Sequence, residues 1–166
     1  FRLAFSSWAI ALEYHAETED KYVTPALSNC QPVGSSEAER VKTAMAVLDE
    51  VQHRELVGKM EGVLTVLDEE IGKTSVIVRT KQHLYGQVVA LRIAQEDHLE
   101  TEEALVLPTL RQRLSEQQQL EVAKHLLIDE EAQEACWMLD WIAKELTPGE
   151  KNLLADLEAR FNRLPR

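Results

Sequence analysis

Glycine and proline are scarce, at 6 and 5 of 166 residues, and aromatic side chains make up only 5%. A chain this poor in turn formers and in the rings that favour strands does not suit a sheet protein. With Ala, Leu, Glu and Gln abundant, it is expected to be all-α. Basic residues are outnumbered 29 to 18, leaving a net charge of −11. Such a chain lacks the cationic face that nucleic acid or an anionic membrane demands, so neither is expected as a partner. No apolar run is long enough to span a bilayer, and no secretory leader is evident, although the first residue is Phe1 rather than Met. The two cysteines, Cys30 and Cys136, form neither a metal-ligand spacing nor a disulfide framework. They read as free thiols of a reducing compartment, and a cytoplasmic location is expected. A Gly-rich phosphate loop, a nucleophile elbow and a Cys–His pair close in sequence are also lacking. Phosphate-cradling and nucleophilic machinery of those kinds therefore have no support.

What is present is a signature that occurs twice. His15 opens HAETEDKYVTPAL and His98 opens HLETEEALVLPTL. Aligned on the histidines, both read His-x-Glu-Thr-Glu-acid-x-x-Val-x-Pro-x-Leu, pairing Glu19 with Glu102, Val23 with Val106, Pro25 with Pro108 and Leu27 with Leu110. Residues four apart share one face of a helix, so His15 and Glu19, and likewise His98 and Glu102, can offer an imidazole nitrogen and a carboxylate oxygen to one small volume. A first-row metal such as iron or zinc accepts that mixture, whereas magnesium and calcium prefer oxygen alone.

Taken in order, residues 1–28 place Phe1, Ala4, Trp8, Ala11 and Leu12 at helical spacing, and the stripe continues to His15, Glu19 and Val23. Pro25 is expected to kink or end that helix. SNCQPVGSS, residues 28–36, reads as a loop, and Ser36 with Glu39 as a capping box opening a second helix that runs to about Ile71 and stops at Gly72. His53 lies in its middle, with Leu56, Met60, Val63, Leu64 and Leu67 on adjoining turns, and so projects toward the bundle seam. A third helix over 75–114 carries Leu84, Val88, Leu91 and Ala94 toward His98, Glu102 and Leu105. Ser115 and Gln118 make a second capping box before a fourth helix over 116–146, with Leu120, Ala123, Leu127, Ala135, Met138, Leu139 and Ile142 on its apolar face. Thr147-Pro148-Gly149-Glu150 starts a short last helix that carries Leu153, Leu154, Leu157 and Phe161. His83 and His125 fall off the stripes and are assigned to the surface, and Trp8, Trp137 and Trp141 to packing.

The order His15-x-x-x-Glu19, a lone His53 on the next helix, then His98-x-x-x-Glu102 resembles the hemerythrin-like (HHE cation-binding) family over residues 1 to about 114. The resemblance implies an up-down-up-down four-helix bundle holding two oxygen-bridged iron ions. By transfer, His15, His53 and His98 would be terminal ligands and Glu19 and Glu102 would bridge the metals, with Glu103 as the fallback for Glu102. It also implies uptake of oxygen, nitric oxide or iron for sensing, storage or delivery, more in the manner of a binding protein than of an enzyme. The sequence departs from the family's pattern in three respects. The family's first helix, with its histidine, has no counterpart. Tyr14 stands where a second histidine is common, and packing is expected of it. Residues 115–166 lie outside the motif, and are expected to pack as a C-terminal helical extension on the 1–114 core or on a second subunit, which makes a homodimer possible.

Two other functions compete. Ferritin-like di-iron enzymes use paired Glu-x-x-His motifs, of which only Glu50-x-x-His53 is found here, since Gln95 and Leu12 occupy the corresponding places before His98 and His15. An oxidase or peroxidase activity of the hemerythrin-like site is the related enzymatic alternative. The third reading is a metal-free helical interaction module, with the His–Glu pairs as a buried polar network.

Overall fold

The computed structural model describes residues 1–28, 36–71, 73 and 77–164, apart from the side chains of 28 and 36–44. The SNCQPVGSS loop with Cys30, the side chains of the Ser36–Glu39 box and the stop at Gly72 lie outside the described residues. The rest is helical, with no strand among the described residues. Helix α1 spans Arg2–Ser28, and α2 spans Ser36–Thr65 before a π-helical turn over Val66–Glu70. Helix α3, Ile77–Thr101, passes through a second π-helical turn, Glu102–Val106, straight into α4, Leu107–Arg113. Three helices follow: α5 over Glu116–Leu127, α6 over Trp137–Ala143 and α7 over Pro148–Phe161. Helix α1 packs against α2, α4 and α5, α2 against α3, and α7 against α5 and α6. No helix is long and apolar enough to cross a membrane.

The expected capping box at Ser115–Gln118 is formed, and the expected helix start at Thr147 carries a second box, Thr147 with Glu150, with Pro148 in the first turn of α7. Each satisfies two backbone N–H groups that a helix start leaves unpaired. Pro25 does not end α1, which continues for another turn. Leu27, at 0% exposure, is the apolar anchor that keeps this turn packed. At the other end of α1 the buried face is Phe5, Ala9 and Leu12 with Trp8 packed beside them, while Phe1 is 70% exposed. The expected Phe1–Ala4 start of the stripe is thus displaced by about one position.

The helix expected over 116–146 is broken. Ile128 is extended, at φ −122° and ψ 110°, and Asp129 accepts hydrogen bonds from the backbone N–H groups of Glu131 and Ala132 and from the Trp137 indole. A short acidic side chain that captures the following N–H groups offers the backbone an alternative to the helix, which resumes only at Trp137. His125, assigned to the surface, is instead half-buried, its ring stacked on Tyr22 at 3.9 Å. His83 is exposed beside Glu70, at 3.2 Å.

Two apolar clusters fill the interior. One joins Phe5, Ala9 and Leu12 of α1 to Leu56, Met60 and Val63 of α2 and Leu91 of α3. The other consists of Val23, Leu27, Val106 and Leu110, the matching apolar positions of the two repeats. In the second copy Leu105 is 45% exposed and Val106 is 4% exposed, so burial falls eight residues after the histidine, as it does at Val23 in the unbroken α1. The expected stripe through Leu105 is therefore corrected to Val106. Val106→Ala should lower stability by about 1–3 kcal/mol and Leu105→Ala by less than about 0.5 kcal/mol in urea unfolding. The reverse ranking would mean that Leu105, and not Val106, faces the second cluster.

Candidate metal centre

Between the two apolar clusters lies a polar one. On α1, His15 and Glu19 follow Leu12 and precede Val23. On the α3 rod, His98 and Glu102 lie between Leu91 and Val106, and α2 contributes His53 just before Leu56. Single donor atoms of Glu19, Asp49, His53, His98 and Glu102 all lie within 4.8 Å of one another. His15 borders the group, its Nε2 lying 3.5 Å from Glu19 Oε2 and 3.5 Å from Glu102 Oε1. Glu19 Oε2 is also 3.2 Å from His53 Nε2, and Glu102 Oε1 is 2.9 Å from His98 Nε2. Each glutamate thus touches two imidazoles. The ring centres of His53 and His98 are 4.8 Å apart, and His15 lies 6.4 and 6.3 Å from them.

The structure therefore gathers His15, Glu19, His53, His98 and Glu102 in one place. Glu103, the fallback carboxylate, is exposed, as is Glu50 of the Glu-x-x-His pair. The Tyr14 hydroxyl donates to the His125 carbonyl at 2.7 Å and its ring meets Trp137 edge-on, so this side chain ties α1 to α5.

Two acidic residues escaped the sequence reading. Asp49 is 2% exposed, accepts a 3.1 Å hydrogen bond from the Thr24 hydroxyl and lies 3.9 Å from His53 Nε2. It stands four residues before His53, the same helical pairing as in the repeats with the order reversed, and that spacing was the available signal. Asp20 meets His53 Nδ1 at 2.8 Å. Such a carboxylate holds a proton on Nδ1 and orients the ring so that Nε2 faces the cluster.

Burial and charge oppose each other throughout. Burial pushes the Glu19 and Asp49 carboxyls above the ordinary range, with His53 pulling the other way in both. For Glu102, burial is outweighed by the neighbouring His15, His98 and Glu19 side chains, which hold its carboxyl well below the usual range. Burial disfavours the charged forms of both His15 and His53, but the acidic neighbours win. Glu102 and Glu19 raise His15, while Glu19 and Asp20 raise His53 to about 9. Charge on the His15 and His53 imidazoles is thus favoured by the carboxylates of the metal-free cluster.

The donor set suits a cation. His98 Nε2 and Glu102 Oε1 are 2.9 Å apart, yet both are buried without a hydrogen-bond partner. The distance is that of an ion pair and the direction is wrong for a hydrogen bond, so the two atoms face a common space without satisfying each other. Buried polar atoms left so cost about 1–3 kcal/mol each, a cost that a shared cation removes. Three imidazoles with three carboxylates make the mixed N/O set of a first-row transition metal. In comparison with known proteins, no family model, curated protein or solved structure matches this chain.

The raised His53 gives a pH dependence with a definite sign. A histidine whose folded value exceeds its unfolded value of about 6.5 stabilises the fold fully below that pH, and this contribution is lost as pH rises through about 9. In chelator-treated protein the urea midpoint should fall over that window. Asp20→Asn removes one of the groups that raise His53 and should shift the fall toward lower pH. A midpoint that is flat from about pH 6.5 to 9 would contradict the protonated pairing.

Proposed function

We propose that the chain is a non-haem di-iron binding protein of the hemerythrin-like type, holding iron and a diatomic ligand, oxygen or nitric oxide, for sensing, storage or delivery. The observation that carries this reading is the buried N/O cluster with two carboxylates that each touch two imidazoles. Glu19 between His15 and His53, and Glu102 between His15 and His98, have the disposition expected of groups that bridge two cations. His15, His53 and His98 would be the terminal ligands, and Asp49 a further carboxylate at the His53 side. Helix α5 packs on α1 and α4 beside the cluster.

Iron bound here would supply reversible electron donation to a diatomic ligand. The chain's own residues set the conditions. Asp20 orients the His53 ring through Nδ1, and Thr24 orients Asp49. Val23, Leu27, Val106 and Leu110 on one side, and Leu12, Leu56 and Leu91 on the other, keep bulk water from the cluster. The imidazole protons must leave when a cation enters, so uptake should release protons and weaken as pH falls.

A specific observation favours the metal-free alternative as second reading. His98 Nδ1 is buried without a partner, whereas a metal-bound histidine ordinarily donates its second N–H. The ferritin-like enzyme reading loses ground, because Glu50 is exposed and its Glu-x-x-His pair is not assembled.

Iron content after anaerobic ferrous loading and removal of excess decides between them. About two irons per chain are expected, with a new visible absorption band on admitting oxygen. His98→Ala, Glu102→Ala and Asp49→Asn should each lower the content, while His83→Ala and His125→Ala should leave it unchanged. A folded chain that retains no iron would leave the polar-network reading in possession of the site.

A further inference from the structure

A second feature of the fold is apolar and lies partly at the surface. A chamber of about 380 Å³, broadly open to solvent, lies between α1, α3, α5 and α6, with Trp8, Leu126, Met138 and Trp141 among its lining. Its volume falls within the range of small-molecule sites. Its polar lining includes the Gln95 side chain, the one carboxamide, and the ring of His15. A carboxamide offers both a donor and an acceptor. His15 keeps 32% of its side-chain surface accessible, against 3% for His53 and 1% for His98. Among the three imidazoles it is thus the one that faces open space as well as the carboxylates.

We infer that this chamber is a binding site for a small, uncharged, largely apolar organic molecule of one or two fused or linked rings, carrying a single hydrogen-bonding group. Several observations fit that class. Trp8 and Trp141 line it with large aromatic side chains, which suit a flat apolar body. No Lys, Arg, Asp or Glu lines the chamber, so a charged ligand would be desolvated without compensation. Gln95 supplies one point of polar recognition, which orients the ligand. A diatomic gas would occupy only a small fraction of the volume, so the chamber is larger than the proposed metal chemistry requires.

The probe is N-phenyl-1-naphthylamine, neutral and emissive only in apolar surroundings, titrated into chelator-treated protein. Its binding there is independent of iron, so this inference and the di-iron reading stand or fall separately. Saturable enhancement with one probe per chain is expected. Ala123 lines the same chamber, and Ala123→Trp should abolish the enhancement while leaving helicity intact. The milder Ala123→Leu, expected to weaken binding about fivefold, answers the question if the tryptophan variant does not fold. In displacement, 1-naphthol should compete about fivefold better than naphthalene, and Gln95→Leu should erase that preference. Absence of saturable binding, or binding undiminished in a folded Ala123 variant, would overturn the assignment.

Discussion

The structure depends on one constraint: three carboxylates and three imidazoles share a volume from which water is largely withdrawn. Isolated buried charges cost several kcal/mol each, and a set of like-charged carboxylates is worse than the sum of its members. The fold meets this by pairing. Each glutamate sits between two imidazoles, Asp49 takes the Thr24 hydroxyl, and His53 takes Asp20 on its outer nitrogen. Where pairing fails, at His98 and Glu102, the unpartnered atoms face each other at 2.9 Å. A folded chain keeps such an arrangement only if the surrounding packing compensates, and the two apolar clusters above and below supply that packing.

The internal repeat shows how one local pattern builds both the polar centre and its seal. The histidine and glutamate of each copy point to the cluster, and the valine and leucine eight and twelve residues after each histidine meet their counterparts in the second core. The copies are nonetheless unequal. Asp20 turns toward His53, whereas its counterpart Glu103 is exposed and His98 Nδ1 has no partner. The first proline is absorbed within α1, while the second follows a π-helical turn. Proline alone therefore does not dictate that turn. At the end of α1, Arg113 donates to the Leu27 carbonyl at 2.7 Å, so the second copy also satisfies a helix-terminal acceptor of the first.

Much of this was legible in the sequence, for a physical reason. Helical periodicity binds side chains four apart, so His15–Glu19 and His98–Glu102 are decided by local geometry, as are the box at Ser115 and the helix start at Thr147. What local geometry does not decide was misread. Asp49 and Glu50 stand four and three residues before His53, both within helical reach of it, and tertiary packing decides which of the two turns inward. An α period does not choose between Leu105 and Val106, which stand three and four residues after Glu102 and share its face. The break after Leu127 depends on Asp129 capturing N–H groups further along, a competition that apolar periodicity does not register. The chamber was invisible for the same reason, since its walls come from four separate helices.

Helix α5 has a role that its composition alone would not suggest. Ala123 and Leu126 line both the chamber at His15 and a smaller cavity of about 190 Å³ that reaches Glu19 and Glu102. Both approaches to the cluster are therefore walled by the same helix. Yet α5 contributes no fully buried residue, while α1 and α2 contribute most of the core. Local opening costs least where the least apolar surface is exposed by it. The helix that separates the cluster from solvent is thus held by half-buried contacts, Val122 and Leu126 against the second core cluster, and by ties to α1: the Tyr14 hydroxyl on the His125 carbonyl and the stacking of Tyr22 on His125. Access to the polar cluster and the sealing of that core are therefore set in part by the same helix.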